Sequence, residues 1–102
     1  MSFIIIQVTY PNIKEANKSI IYLLKSKLIS SANSFHIKST SCWTGKIKEV
    51  NEVSVFLKTR KDNWEKVKSE VQKIHSYKVP CIAKFNAEAN KEYEEWIKNQ
   101  TK

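Results

Sequence analysis

The sequence predicts an α+β fold of the ferredoxin-like type, with elements in the order β-α-β-β-α-β followed by a C-terminal helix. Three observations predict it. A β-branched apolar run, "FIIIQVT", begins the chain, and two stretches with helical spacing of apolar residues alternate with further strand-like segments. The length of 102 residues is that of one domain. We therefore expect a single domain over residues 1–102, with two helices on one face of an antiparallel sheet.

The first half of the chain is interpreted as strand, helix and strand. Phe3–Thr9 is followed by "YPN", and Asn12 with Glu15 three residues later has the pattern of a helix N-cap. Apolar residues at helical spacing continue to Leu28, so the helix is expected to end at the Ser-Ser pair that follows. Residues 33–43 alternate between two faces, as a strand does.

The second half is interpreted as the rest of a long hairpin, a helix, a strand and a last helix. The single glycine, Gly45, predicts the hairpin turn, and Val53–Thr59 is the predicted returning strand. Asp62 is the predicted cap of the second helix. The inner stripe of that helix is predicted to be Trp64, Val67, Val71 and Ile74. We expect a strand over Cys81–Phe85 and a short helix that begins at Asn90.

The sheet face that points away from the helices is also apolar. Phe3 and Ile5 in the first strand, and Phe56 in the third, lie on this face. A lone domain would leave all three side chains in water, and large exposed apolar surfaces usually mark an interaction site. We therefore predict that another subunit covers this face. A partly exposed sheet is the alternative.

The net charge of +8 would suit nucleic acid or an anionic membrane surface. However, only Arg60 among the 18 basic residues is arginine, the side chain preferred for guanine and phosphate recognition, and the lysines are spread among glutamates along the chain and not collected in one block. We find no secretory signal pattern and no run of roughly 20 apolar residues. Two cysteines fit a reducing compartment. We expect a cytoplasmic protein that binds neither nucleic acid nor membrane.

The segment "HSYKVPC" places a histidine and a cysteine where a helix gives way to a strand. Imidazole and thiolate ligands suit copper or zinc, and a turn could bring His75 and Cys81 together. A buried cysteine and a polar histidine with purely structural roles are the alternative. His36 and Cys42 share one strand face but lie about 20 Å apart, too far to bind one ion within a subunit.

Sequence motifs of enzymes are missing. The chain has no Gly-x-Ser-x-Gly elbow, phosphate loop or His-Glu-x-x-His motif, and its sole arginine follows a strand. The segment "VSVFLKT" also lacks the aromatic signature of RNA-binding ferredoxin-like domains. We therefore predict a protein that is not an enzyme.

Five motifs, "TYPNIKEA", "CWTGKI", "FLKT", "HSYKVP" and "YEEW", follow one another along the chain. In this order and spacing they resemble the CutA family of divalent-cation tolerance proteins, from about Ile5 to Ile97. The resemblance implies a ferredoxin-like subunit that forms a homotrimer through its long hairpin. It also implies a role in tolerance of divalent metals, most often copper.

Individual positions also match the family. Trp43 and Lys46 fit its Trp-x-Gly-Lys turn, Lys58 its Lys-Thr strand end, and His75 and Tyr77 its His-Pro-Tyr-x-x-Pro junction. The chain departs from the family where Ser31 replaces a cysteine, Ser76 a proline and Cys81 a glutamate. We predict that Cu(II) or another divalent cation binds at His75 and Cys81. The predicted ligand cleft consists of Trp43, Lys46, Lys58 and Tyr77.

Two other functions remain open from the sequence. Trimeric ferredoxin-like proteins of the PII type are signalling modules that bind small anionic effectors between subunits, and Lys46 and Lys58 would attract such an anion. Alternatively, the trimer would serve as a scaffold that presents a surface to a partner protein.

Overall fold

The computed structural model describes residues 2–102 and confirms the predicted order of elements. The strands are β1 (Phe3–Tyr10), β2 (Ser31–Trp43), β3 (Lys46–Thr59) and β4 (Ile82–Ala87), and the helices are α1 (Ile13–Lys25), α2 (Trp64–Ile74) and α3 (Lys91–Gln100). The strands form one antiparallel sheet in the order β2-β3-β1-β4. Within residues 2–102, no helix combines the length and the apolar character needed to cross a membrane.

The core lies between the sheet and the helices α1 and α2. Alternate residues of each strand point to the same face, so the central strands contribute every second side chain to this core. The fully buried members are Ile6, Val8, Val55 and Leu57 from the sheet and Ala16, Leu23, Val67 and Val71 from the helices. Each large aliphatic side chain among them contributes roughly 1.5–3 kcal/mol through burial.

Helix α1 begins as predicted and ends earlier than predicted. The Asn12 side chain accepts a hydrogen bond from the Glu15 backbone N–H at 2.9 Å. At the other end Lys27 has a positive φ of 59°, and the N–H of Leu28 donates to the carbonyl of Leu23 at 3.0 Å. This bond and the left-handed residue form a Schellman closure. The predicted continuation of the helix through Leu28 is therefore wrong.

Helix α2 is not capped by Asp62, which lies in a short 3-10 turn, Lys61–Asn63. Asn63 occupies the N-cap position, but its side chain points into the body of the protein and donates to the carbonyl of Leu28 at 3.2 Å. The predicted cap is wrong because tertiary contacts, and not a local side-chain bond, hold this helix start. Within the predicted inner stripe, Ile74 is also misplaced, since it is 42% exposed.

Strands β2 and β3 extend beyond the rest of the sheet as a two-stranded ribbon. Pairing of β1 with β3 ends at Tyr10 and Val53, whereas β2 and β3 stay paired as far as Trp43 and Lys46. Thr44 and Gly45 form the turn, with φ angles of 50° and 80°, and two successive positive φ angles are those of a type I′ turn. The ribbon makes β3 longer than predicted and the molecule elongated, at 46 × 23 × 21 Å.

The sheet face that points away from α1 and α2, which we call the second face, is partly covered by α3. Phe3 is only 5% exposed because its ring contacts Tyr93 of α3, with ring centroids 6.2 Å apart. The expectation that a lone domain would leave Phe3 in water is therefore wrong, because α3 of the same subunit covers it.

The remainder of the second face is open and apolar. Ile5 and Phe56 are half-buried, while Phe35 and Phe85 are 45% and 54% exposed. The rings of Phe35 and Phe56 contact each other edge to face at 5.1 Å. An apolar surface thus extends across all four strands.

Candidate functional site

His75 ends α2, and its side chain is completely buried. Its Nδ1 accepts a hydrogen bond from the Tyr77 N–H at 3.0 Å, so the ring proton is on Nε2, which donates to the Thr9 carbonyl at 2.7 Å. The ring stacks on Tyr10 with centroids 4.6 Å apart and planes 13° apart. Both ring nitrogens are therefore used for hydrogen bonds within the subunit.

Glu15, in the first turn of α1, holds the residue that follows His75. Its carboxylate accepts hydrogen bonds from the Ser76 N–H at 3.0 Å and from the Ser76 hydroxyl at 2.7 Å. The proline expected here from the family motif has neither of these donors. The substitution by serine thus provides two bonds that connect the junction to α1.

Tyr77 connects the same junction to the base of the ribbon. Its hydroxyl donates to Glu52 Oε2 on β3 at 2.5 Å. Burial and, after it, the bond to Glu52 raise the pKa of Tyr77 to about 12. The phenol therefore stays protonated near neutral pH and remains a hydrogen-bond donor.

Cys81 lies just before β4, and its thiol is on the second face, 3.5 Å from Gln7 Oε1. The Gln7 amide nitrogen in turn donates to the hydroxyls of Thr9 and Ser54, both at 3.1 Å. Across residues 2–102, no group of three or more His, Cys, Asp and Glu side chains is arranged to hold a metal ion. The described part of one subunit therefore supplies no such set of three donors, and the role of His75 and Cys81 as ligands stays a prediction.

The residues of the predicted ligand cleft lie far apart within the subunit. Trp43 and Lys46 are paired at the tip of the ribbon, where Trp43 is 61% exposed. Tyr77 is at the base of the ribbon. Lys58 is on the same strand as Lys46, about 40 Å away at the rise of an extended chain, with its ammonium 5.7 Å from the centre of the Tyr93 ring. These side chains can meet only if different subunits contribute them.

Sequence reasoning did not identify Glu15 and Glu52 as partners of the junction. They are 61 and 25 residues away from the residues that they bind, and no local spacing signals such contacts. The role of Arg60 was also missed. Its guanidinium donates to the carbonyls of Lys98 and Thr101, at 2.5 and 2.7 Å, so it caps the C-terminal end of α3.

Comparison with known proteins agrees with the motifs and the fold. The sequence model of the family described as "CutA1 divalent ion tolerance protein" matches residues 4–100. The chain belongs to this family. The divalent-cation tolerance protein CutA of Pyrococcus horikoshii is 38% identical over 100 residues, which are 97% of this chain and 98% of that protein. The CutA1 family consists of tolerance proteins and not of enzymes, as the sequence predicts.

Solved CutA structures have the same α+β fold. The structure named periplasmic divalent cation tolerance protein CutA, from Archaeoglobus fulgidus, has a TM-score of 0.94 at 36% identity and covers 100% of both chains. CutA1 from Oryza sativa has a TM-score of 0.96 at 28% identity, over 100% of this chain and 95% of that one. The predicted four-stranded antiparallel sheet with a C-terminal helix is thereby confirmed.

Proposed function

We propose that this CutA protein acts as a cytoplasmic homotrimer that binds divalent copper between its subunits. Family membership supplies the link to divalent cations. The observation that carries the assembly is the open apolar second face. The absence of a donor cluster within residues 2–102 of one subunit favours a boundary between subunits as the metal site.

Two open strand edges support a ring-shaped assembly. β2 and β4 are the outer strands of the sheet, so each has one row of backbone N–H and C=O groups without a partner in the sheet. Pairing of the β4 edge of one subunit with the β2 edge of the next is a heterologous contact, and such contacts close into a ring when the rotation per subunit is a third of a turn. The ring would also cover Phe35 and Phe85.

The exposed thiols support metal binding after assembly. Cys42 and Cys81 are both exposed and free, and thiolate is a ligand that suits copper. His75 would have to lose its bond to the Tyr77 N–H or its bond to Thr9 before it could bind an ion. We therefore expect Cys81 to contribute directly to metal affinity and His75 to contribute through the shape of the junction.

Light scattering of the purified protein tests the assembly. Phe85→Asp places a charge on the second face, and we expect it to convert the trimer into monomers. Ile21→Asp is the matched control, because Ile21 is 52% exposed, much like Phe85 at 54%, but lies on the helix layer. A trimeric Phe85→Asp variant, or a monomeric wild type, would overturn the proposed assembly.

Calorimetric titration with Cu(II) tests the metal site on protein of defined oligomeric mass. We expect saturable binding at micromolar or lower concentration, lost in Cys81→Ser and retained in Cys42→Ser. Binding no tighter than millimolar in the wild type would refute the copper function and leave the trimer unaffected.

A PII-type anion-binding module is the second candidate. Two observations favour it. Lys46 and Lys58 form no ion pair with a carboxylate within residues 2–102, and they can share a cleft only between subunits. Titration with ATP and inorganic phosphate distinguishes the two candidates. Saturable binding that is lost in Lys58→Ala, but not in Cys81→Ser, would favour the signalling module.

The cytoplasmic location rests on the two free thiols, which persist in reducing compartments. The name of the Archaeoglobus fulgidus relative instead places that protein in the periplasm. Fractionation of the native cells with an antibody decides between the two compartments for this chain.

A further inference from the structure

A groove runs between α1 and α2 on the outer surface of the helix layer, and we call it the α1–α2 groove. It has a volume of about 290 Å³ and is lined by Glu15, Lys18, Ser19, Tyr22 and Ile74. The groove lies on the opposite side of the sheet from the second face. Assembly through the second face therefore leaves it accessible.

The apolar part of the α1–α2 groove is formed by one side chain from each helix. Tyr22 of α1 is 43% exposed and Ile74 of α2 is 42% exposed. The hydroxyl of Tyr22 is held by Glu70 of α2, so the ring has a fixed position across the groove. An incoming aromatic or aliphatic side chain would find a preformed apolar contact here.

The acidic groups near the groove already have partners. The Glu15 carboxylate accepts two hydrogen bonds from Ser76. The Glu70 carboxylate accepts the Tyr22 hydroxyl and is paired with the Lys73 ammonium at 2.9 Å. The charge of Glu70 is therefore offset by Lys73, whereas Glu15 keeps its negative charge because both of its donors are neutral.

One lysine, Lys18, lines the groove, and two more lie beside it on α1. Lys14, Lys18 and Lys25 have the spacing of one face of α1, and all three are exposed. Within residues 2–102 none of them forms an ion pair with a carboxylate. The groove is thus a small apolar slot beside three lysines, whose positive charge exceeds the single negative charge of Glu15.

We propose that the α1–α2 groove docks an acidic segment of a partner protein. An apolar side chain of that segment would contact Tyr22 and Ile74, and its carboxylates would face Lys14, Lys18 and Lys25. Charge complementarity of this kind steers the encounter and fixes orientation, while the apolar contact supplies most of the affinity. The proposal depends neither on copper nor on the number of subunits.

Selection from a phage-displayed library of random peptides of about a dozen residues tests the proposal. The immobilised wild-type protein is the bait, and the enriched peptide is then labelled with fluorescein for polarisation measurements. We expect enriched peptides to combine several Asp or Glu residues with an aromatic or aliphatic residue. Their affinity should fall as salt is added, because rim charges are screened.

Two pairs of variants locate the binding surface. Lys18→Glu and Ile74→Ser should each weaken peptide binding about fivefold or more. Their matched controls are Lys91→Glu, with the same charge change at the start of α3, and Leu24→Ser. Leu24 is 39% exposed, close to Ile74 at 42%, and lies about 200° around α1 from Tyr22, on the flank away from the groove. Both controls should change affinity less than about twofold, and circular dichroism should show an unchanged fold for all four variants.

Three results would overturn the proposal. The first is enrichment of peptides without acidic residues, or no enrichment. The second is equal binding of the enriched peptide to wild type, Lys18→Glu and Ile74→Ser. The third is complete competition by heparin or by phosphatidylserine vesicles at equal charge concentration, which would identify a non-specific polyanion surface.

Discussion

Replacing His75 with alanine separates a structural imidazole from a metal-binding one. The ring lies against Tyr10 and Tyr77 with centroids 4.6 and 5.0 Å away. Its Nε2 bonds the carbonyl of Thr9, which is the first residue beyond the end of the β1–β4 ladder at Val8. Alanine would remove the packing of the ring and the partner of this carbonyl together.

The expected cost follows from these contacts. A buried carbonyl without its hydrogen bond costs about 1–3 kcal/mol. Removal of a fully buried ring of this size costs roughly 2 kcal/mol more, somewhat below the range for phenylalanine. We therefore expect His75→Ala to lower the free energy of unfolding by about 4 kcal/mol, a large part of the ~5–15 kcal/mol available to a domain.

Urea unfolding followed by circular dichroism measures this change. The concentration of subunits must be held constant, because the stability of an oligomer depends on it. His36→Ala is the control, since the other histidine is exposed and should change the free energy by less than about 0.5 kcal/mol. A His75→Ala variant that is as stable as wild type but has lost Cu(II) binding would refute the structural role.

Three other contacts give measurable effects. Asn63→Ala removes two buried hydrogen bonds and should cost about 2 kcal/mol in urea titrations; an unchanged midpoint would contradict this. Arg60→Ala uncaps α3, so amide exchange there should become about tenfold faster while exchange in α1 stays constant. The pKa of Tyr77 is about 12 in the folded protein, against an ordinary value of 10.0. Its contribution to stability is therefore complete below pH 10 and is lost towards pH 12, by about 1 kcal/mol after allowance for solvent screening. Tyr77→Phe should lack this loss, and Glu52→Gln should lower the pKa in a spectrophotometric titration.

Much of the fold could be predicted because its signals are local. The β-branched run of β1, the Asn12 cap with Glu15, and the two positive φ angles required around Gly45 are all encoded within a few residues. The first part of β3, residues 46–52, was missed for a physical reason. This part of the ribbon has no side against the core, so its residues do not show the apolar alternation by which a strand is usually detected.

The candidate site could be located in the sequence, but its chemistry could not. The partners of His75 are a main-chain carbonyl of β1 and a main-chain N–H of the junction, and neither is marked by a residue type. The left-handed Lys27, which ends α1 early, is equally unmarked because lysine seldom adopts that conformation. Lys46 and Lys58 lie far apart because β3 is one continuous strand that contains both. The predicted strand, Val53–Thr59, did not include Lys46, so this separation could not be predicted.

The junction is best understood from where its bonds lead. Glu15 connects it to α1, Thr9 to β1 and Glu52 to β3, and all three bonds meet within three successive residues after α2. Every polar atom of the His75 ring is used in this network, so the residue that looks most like a metal ligand in the sequence is the one least free to bind. Donors suited to a soft metal remain at Cys81 and Cys42, which are exposed and take no part in this junction network. Function in this chain is therefore expected at its surfaces, while the junction fixes the base of the ribbon that helps to form them.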